Sequence, residues 1–111
     1  MNFNMNLQDK YFYMIENEIK TLEVRLLDKK REKIKIGDTI TFHCSNDKHI
    51  NVKVISLKIY DSFEDLLMDN TISKIGLNTD SIEEAIFQLN SIYPKEKSSI
   101  YRALAIGFSK I

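Results

Sequence analysis

Lys20, Thr21, Glu23 and Arg25 fall within six consecutive positions. A lysine, a hydroxyl, a carboxylate and a guanidinium at this spacing are the components of an acid/base or anion-binding set. Thr21, Glu23 and Arg25 are separated by two residues each, so on a strand they share one face with Cβ atoms about 7 Å apart. Lys20 stands where that strand begins, and its flexible stem can reach the same face. Arg25 beside Glu23 favours the ionised carboxylate. Glu23 beside Lys20 has two outcomes: it keeps the ammonium charged as an electrophilic donor, or, with both groups buried, lets Lys20 act as base or nucleophile. An exposed ladder of ion pairs would use the same residues and need no ligand.

The surrounding pattern says which elements carry them. Thr21 to Leu26 alternates polar and apolar, with Leu22, Val24 and Leu26 on the second face, which predicts a strand. Upstream, Phe3, Met5 and Leu7 alternate with Asn2, Asn4 and Asn6, predicting another. Between them, Asp9 can cap a helix whose stripe is Tyr11, Phe12, Ile15 and Ile19. A lysine-rich turn over residues 28–35 leads to the turn dipeptide Gly37-Asp38. Thr39 to Cys44 predicts a third strand, and a fourth runs from about Ile50 to Tyr60. The apolar phase of the fourth slips by one near Ile55, as a β-bulge requires. Ser62 with Asp65 and Ser81 with Glu84 have the spacing of helix capping boxes. The second precedes the helical stripe Ile82, Ala85, Ile86, Leu89 and Ile92, and Pro94 follows it. A last strand, Tyr101 to Phe108, puts Leu104, Ile106 and Phe108 on one face and the small Ala103 and Ala105 on the other. The expected order is β-α-β-β-β-α-α-β, an α+β domain over residues 1–111 with a curved, mostly antiparallel sheet.

The 111 residues, 43% hydrophobic and 29% charged, suit one folded core rather than a disordered chain. Sixteen basic residues balance sixteen acidic ones, giving a net charge of zero. That excludes a polybasic tail but hides an asymmetric order. Residues 20–35 hold seven basic residues against three acidic, whereas residues 61–84 hold seven acidic residues and one lysine. Lys29, Lys30, Arg31 and Lys33 can contact phosphates, and the alternative is a solvated turn. The single cysteine, Cys44, forms no internal disulfide and points to an intracellular, cytoplasmic protein. No metal site is expected, since His43 and Cys44 are adjacent and face opposite sides of a strand. No membrane partner is expected either, since no apolar run reaches the span of a bilayer. Among the aromatic residues, Tyr11 and Phe12 fit the core stripe, which leaves Tyr13 freer to stack on a base. Tyr93 and Tyr101 are further pocket candidates.

The run Ile15 to Leu26 resembles the G-x-K-x-x-E-x-R motif of ASCH domains, with Lys20, Glu23 and Arg25 at its last three fixed positions. Asp28, Lys30-Arg31, Ile34, Gly37-Asp38 and Ile92-Tyr93-Pro94 continue the likeness to small prokaryotic members across nearly the whole chain. The motif glycine falls on Glu18, which is expected to make the turn differently or to hold a right-handed helical state. The resemblance implies a PUA-like small β-barrel with helices packed on it and a cleft between them, without cofactor or metal. It implies RNA or a modified nucleoside as partner, held by Lys20, Glu23, Arg25 and Tyr13. Some small relatives resemble amidohydrolases that deacetylate N4-acetylcytidine. Carried over, that activity places Lys20, Thr21 and Glu23 in catalytic roles, although those relatives have a threonine at the position of Glu23, with Glu83 and Glu84 as approximate candidates for a helical glutamate. Size and charge are compatible with a monomer or a weak homodimer.

Overall fold

The computed structural model describes residues 1–111. Five strands, β1 (Asn2–Asn6), β2 (Leu22–Leu26), β3 (Thr39–His43), β4 (His49–Tyr60) and β5 (Ala103–Lys110), form one sheet in the order β1-β3-β4-β5-β2. All neighbours pair antiparallel except β1 and β3, which are parallel in the register Asn2↔Thr39 to Asn6↔His43. β4 is the spine, bonding to β3 along its first half and to β5 along most of its length. Its ladder with β5 shifts between Val54 and Ser56, where the apolar phase of the sequence slips. The bulge bends β4 and curls the sheet into a half-barrel. Gly107 sits opposite Ser56, and a Cβ there would lie 2.0 Å from Ser56 Oγ.

Alternation on β5 divides the apolar interior. Leu104, Ile106 and Phe108 face a cluster that includes Phe3, Phe12, Ile15, Ile40, Phe42, Val52 and Val54, and so bury helix α1 (Asp9–Glu16) in the curl of the sheet. Ala103 and Ala105 face the other way, with Val24 and Leu26 of β2. Their small side chains admit α2 (Phe63–Asp69) and α4 (Ile82–Ile92), which contribute Phe63, Leu66, Leu67, Ala85 and Leu89. Both serines cap their helices through the side chain alone: Ser62 Oγ accepts from the Asp65 amide and Ser81 Oγ from the Glu84 amide, while the reciprocal bond of a full capping box is absent and the Ser81 amide donates to Thr79 Oγ1 instead.

Three short elements lie outside the expected order: one 3₁₀ turn at Arg31–Lys33, α3 (Ile72–Ile75) and α5 (Lys95–Ser98). None is long enough to display a hydrophobic period. The N-cap of α1 is Gln8 rather than Asp9. Asp9 lies inside the first turn, and its carboxylate accepts from the Ser45 amide and hydroxyl. Ile19 does not continue the stripe of α1, because the helix ends at Glu16 and leaves Ile19 exposed.

That ending shapes the site. Glu18 has φ 59°. Its amide bonds to Ile15 O, and the Ile19 amide reaches back to Met14 O. This pair of bonds is the Schellman motif, with Glu18 at the left-handed position usually held by glycine. The expectation of a different turn or a right-handed backbone at Glu18 is thus corrected. Two closing hydrogen bonds hold the glycine-type turn despite a side chain that disfavours it by about 1–2 kcal/mol. No helix of the protein is long and apolar enough to cross a membrane.

Candidate functional site

The Schellman turn delivers Lys20 into the interior. Only 3% of Lys20 and 5% of Glu23 is accessible, and they are the two buried charged residues of the chain. Lys20 Nζ lies 2.7 Å from Leu22 O, 2.6 Å from Ile75 O and 3.0 Å from Glu23 Oε1. An ammonium has three N–H donors and no acceptor, so every proton of Lys20 is engaged. A neutral amine would turn its lone pair on a carbonyl or carboxylate oxygen. The geometry therefore selects the charged form.

Glu23 Oε2 accepts from Arg25 Nε at 3.0 Å and lies 2.9 Å from Nη2. Burial alone would raise the Glu23 carboxyl, but the charges of Lys20 and then Arg25 outweigh it and hold the group below its ordinary value. Burial works against the Arg25 cation as well, and Glu23 more than offsets it, so the guanidinium is held more firmly charged. Arg25 Nη2 also donates to Asn6 O at 3.0 Å. Asn6 ends β1 and Arg25 lies in β2, the two edge strands of the sheet. Arg25 thus spans the open side of the half-barrel.

These groups form the floor of a cleft of about 140 Å³. Its walls are Tyr11 of α1, Ile75 and Leu77 around α3, Ile92 and Tyr93 at the end of α4, and Asn6 to Gln8. The Lys20 ammonium lies 5.7 Å from the Tyr11 ring centroid. Tyr93 Oη donates to Val24 O at 2.7 Å. Burial, then the Glu23 charge, pushes the Tyr93 phenol up to about 12, so Tyr93 stays a neutral donor. Gly76 closes α3 with φ 92°, and a Cβ on it would stand 3.2 Å from Lys20 Cδ and 3.1 Å from Met14 Sδ. The lysine stem thus uses space left by that glycine.

Two cations and one carboxylate leave the floor with one surplus positive charge. In a site shielded from water, that favours a ligand bearing acceptors or negative charge. Of the polar groups on the residues lining the cleft, Arg25 Nη1, Tyr11 Oη and the side-chain amides of Asn6 and Gln8 carry no internal hydrogen bond.

The expected site residues separate into those the fold gathers and those it does not. Lys20, Glu23 and Arg25 converge. Thr21 is half-buried but does not line the cleft. Tyr13 also stands apart, packed edge-on to Phe12 against the α1 core, while Tyr11 lines the cleft. The reason is rotation: Phe12 and Ile15 set the buried stripe of this two-turn helix, and Tyr11 lies to its cleft side. Lys29, Lys30 and Lys33 are exposed on the turn beyond β2, and Arg31 is paired with Asp28 at 2.9 Å. Glu83 and Glu84 lie exposed in the first turn of α4, and that helix reaches the cleft only through its opposite end. Ile75 and Gly76 carry no motif. The only sequence sign of them is a glycine just after the isolated apolar residue Ile75.

The same fold occurs in solved structures. Hypothetical protein PH0355 is 34% identical, with a TM-score of 0.90 and full coverage of both chains. Protein PF0455 from Pyrococcus furiosus is 32% identical, with a TM-score of 0.80, covering 100% of this chain and 98% of that one. The ASCH domain from Lactobacillus crispatus shares 11% identity with a TM-score of 0.68 over 98% of this chain and 79% of that one, a likeness of fold alone. No curated protein matches the sequence. The family model for the ASCH domain matches residues 5–111. With that match spanning the Lys20–Arg25 floor, the half-barrel and the helices that wall the cleft, the chain belongs to the ASCH domain family and has its PUA-like α+β fold.

Proposed function

We propose that the cleft binds RNA through a single nucleotide base, or binds a modified nucleoside, without transforming it. ASCH domains are generally RNA-binding. The observation that carries the proposal for this chain is the buried floor of Lys20, Glu23 and Arg25, with one surplus positive charge, in a cleft that Tyr11 and Tyr93 also line. A drug-sized ligand needs roughly 300–1,000 Å³, so a cleft of about 140 Å³ suits one ring. Tyr11 and Tyr93 offer apolar walls to a base. Arg25 Nη1 and the amides of Asn6 and Gln8 offer polar partners to its edge. Lys29, Lys30 and Lys33 steer the phosphates from the exposed turn.

An amidohydrolase reading needs a lysine able to shed a proton or present a free one, and a second carboxylate from the helices. Lys20 has spent its three donors, and Glu83 and Glu84 lie away from the cleft. Binding is therefore the better fit.

Titration with short single-stranded RNA at two salt concentrations tests the proposal. Binding is expected at 50 mM salt, with log K falling by about 0.7 per log unit of salt for each phosphate contacted. Replacing Lys29, Lys30 and Arg31 together by Ala should lower both affinity and that slope. Absence of binding at low salt, or binding indifferent to the triple change, would overturn it. Incubation with N4-acetylcytidine should release no cytidine above buffer. Turnover that disappears in Lys20→Ala would establish the enzyme instead.

A further inference from the structure

The second half of β4 has an open edge. β3 pairs with β4 only as far as Lys53, and the bonds of Gly37 and Asp38 to Val54 close that ladder. Beyond the bulge β4 pairs with β5 alone. Alternation then decides which of its backbone groups are used. The Phe108 amide bonds to Thr21 O and the Leu27 amide to Arg102 O, so the even positions from 102 to 108 turn toward β2. Ala103 and Ala105 turn the other way and bond to Tyr60 and Lys58. Leu57 and Ile59 therefore point their N–H and C=O groups away from β5, where no strand or loop bonds to them. The outer edge of β2 is closed by contrast: Lys20 bonds to Leu22 O, Tyr93 to Val24 O and the Asp28 amide to Leu26 O.

An open edge is commonly guarded by a lysine that keeps other strands away. Lys58 stands in that place, but Asp69 neutralises it at 2.6 Å. Apolar side chains are exposed along the same edge: Ile55 at 55%, Ile59 at 46%, and Ile36 beside the Gly37–Val54 bond at 66%. A cavity of about 320 Å³ adjoins the stretch, with apolar walls that include Leu57, Ile59, Ile34 and Leu104, and with Arg31 and Glu32 from the turn after β2. Residues 28–35 of that turn hold five basic residues and two acidic ones, a surplus of three positive charges. Free N–H and C=O groups at strand spacing are satisfied by another strand, so the occupant is a polypeptide. A second copy of this chain, paired edge to edge about a twofold axis, would set Lys58 against Lys58 and bring two basic turns together. An acidic segment meets the same edge with charge of opposite sign.

We infer that the free edge of β4 at Leu57 and Ile59 docks an extended acidic segment of a partner protein, which adds a sixth strand to the sheet. In antiparallel pairing Leu57 and Ile59 each exchange both backbone bonds with the residue opposite, four bonds in all. Those two opposite residues lie two apart and share the face of Leu57 and Ile59, so their side chains meet the cavity and are apolar. The residues two beyond on either side share that face, next to the basic turn, and are acidic. The recognised pattern is acidic-x-apolar-x-apolar-x-acidic. This site shares no lining residue with the first cleft and stands whatever the cleft binds.

The probe is the end-capped, fluorescently labelled heptapeptide Glu-Thr-Leu-Thr-Leu-Thr-Glu, titrated against the whole unmodified chain by anisotropy, with amide hydrogen exchange followed by NMR. In the free protein the Leu57 and Ile59 amides should exchange faster than those of Lys58 and Tyr60, which bond to β5. Saturation with peptide should slow the first two about tenfold or more and leave the other two unchanged. Methylating the two leucine nitrogens of the peptide removes two donors and should weaken binding about five- to hundredfold. Replacing both glutamates by lysine should also weaken it, by a factor that shrinks as salt rises. No binding at about 1 mM peptide, binding that leaves the Leu57 and Ile59 amides unprotected, or equal affinity for either altered peptide overturns the site. Amides already protected in the free protein overturn it as well, and a dimer in sedimentation would then give the edge to a second copy.

Discussion

Replacing Glu23 by Gln isolates the charge at the centre of the site. The carboxylate receives Lys20 at 3.0 Å and Arg25 at 2.9–3.0 Å. At an effective dielectric of 20, each contact is worth about 5 kcal/mol of gross Coulomb energy, much of it offset by the cost of removing three charges from water. Gln keeps the volume and removes the charge, leaving two cations in a site of which only a few per cent is accessible. Removing one partner of a buried pair costs about 3–5 kcal/mol. For a chain of this length that lowers the melting temperature by about 10–20 °C. The pH dependence gives an independent signature. The Glu23 carboxyl is lowered in the folded state, so the unfolded chain binds the proton more readily. Its contribution is complete above the unfolded carboxyl value near 4.5 and is lost as pH falls through the lower, folded one. Denaturant melts of both proteins from pH 3 to pH 8 should show a gap that is constant from pH 6 upward and narrows in acid. Asp9, Asp28, Asp38 and Asp69 are also lowered, so the difference between the proteins, not the acid sensitivity of either, isolates Glu23. A variant within 1 kcal/mol of the parent at pH 7, or a gap that does not vary with pH, would refute the buried, ionised carboxylate.

Two further predictions concern the backbone that presents the site. Glu18→Gly should stabilise the protein by about 0.5–1 kcal/mol, since relief of the left-handed strain exceeds the entropy that glycine adds to the unfolded chain; an unchanged or lower melting temperature would contradict φ 59° at that position. Gly107→Ala should cost about 1–3 kcal/mol by overpacking, because its Cβ would meet Ser56 Oγ at 2.0 Å, and adding Ser56→Ala should recover part of the loss in the same denaturant melts.

Much of the architecture was legible because it rests on period and spacing. The bulge declared itself as a slipped phase near Ile55, the two helix starts as serines three residues before an acidic one, and the split interior as small and large residues alternating on β5. The half-barrel closure was not legible in that way. Alternation puts Glu23 and Arg25 on one face but does not say whether water reaches it. Water is excluded by α3, whose Ile75 carbonyl meets Lys20 from 55 positions away, and by the end of α4. The parallel pairing of β1 with β3 was likewise hidden, since both strands alternate equally well in either direction. Tyr11 and Tyr13 show how fine the margin is. Two tyrosines separated by a core phenylalanine fall on opposite flanks of one short helix, and the rotation that assigns one to the cleft is fixed by Phe12 and Ile15 docking into the sheet.

The fold and the site draw on the same atoms, and this explains why the charges are there at all. A buried ion triad is a weak source of stability, and well-packed apolar residues of the same volume often serve as well or better. Replacing Lys20, Glu23 and Arg25 together by Met, Leu and Met would therefore cost far less stability than Glu23→Gln alone. What it would remove is a connected path: the Ile75 carbonyl to Lys20, Lys20 to Glu23, Glu23 to Arg25, and Arg25 to the Asn6 carbonyl. That path joins α3, β2 and the end of β1 around the opening of the half-barrel. It fixes the width of the cleft and leaves one face of Arg25 directed into it. A ligand that engages Arg25 therefore meets a guanidinium already positioned by Glu23 and Asn6, and gives up little ordering entropy in binding it. Such preorganisation is a return on burying three charges that an apolar triad of equal stability would not give.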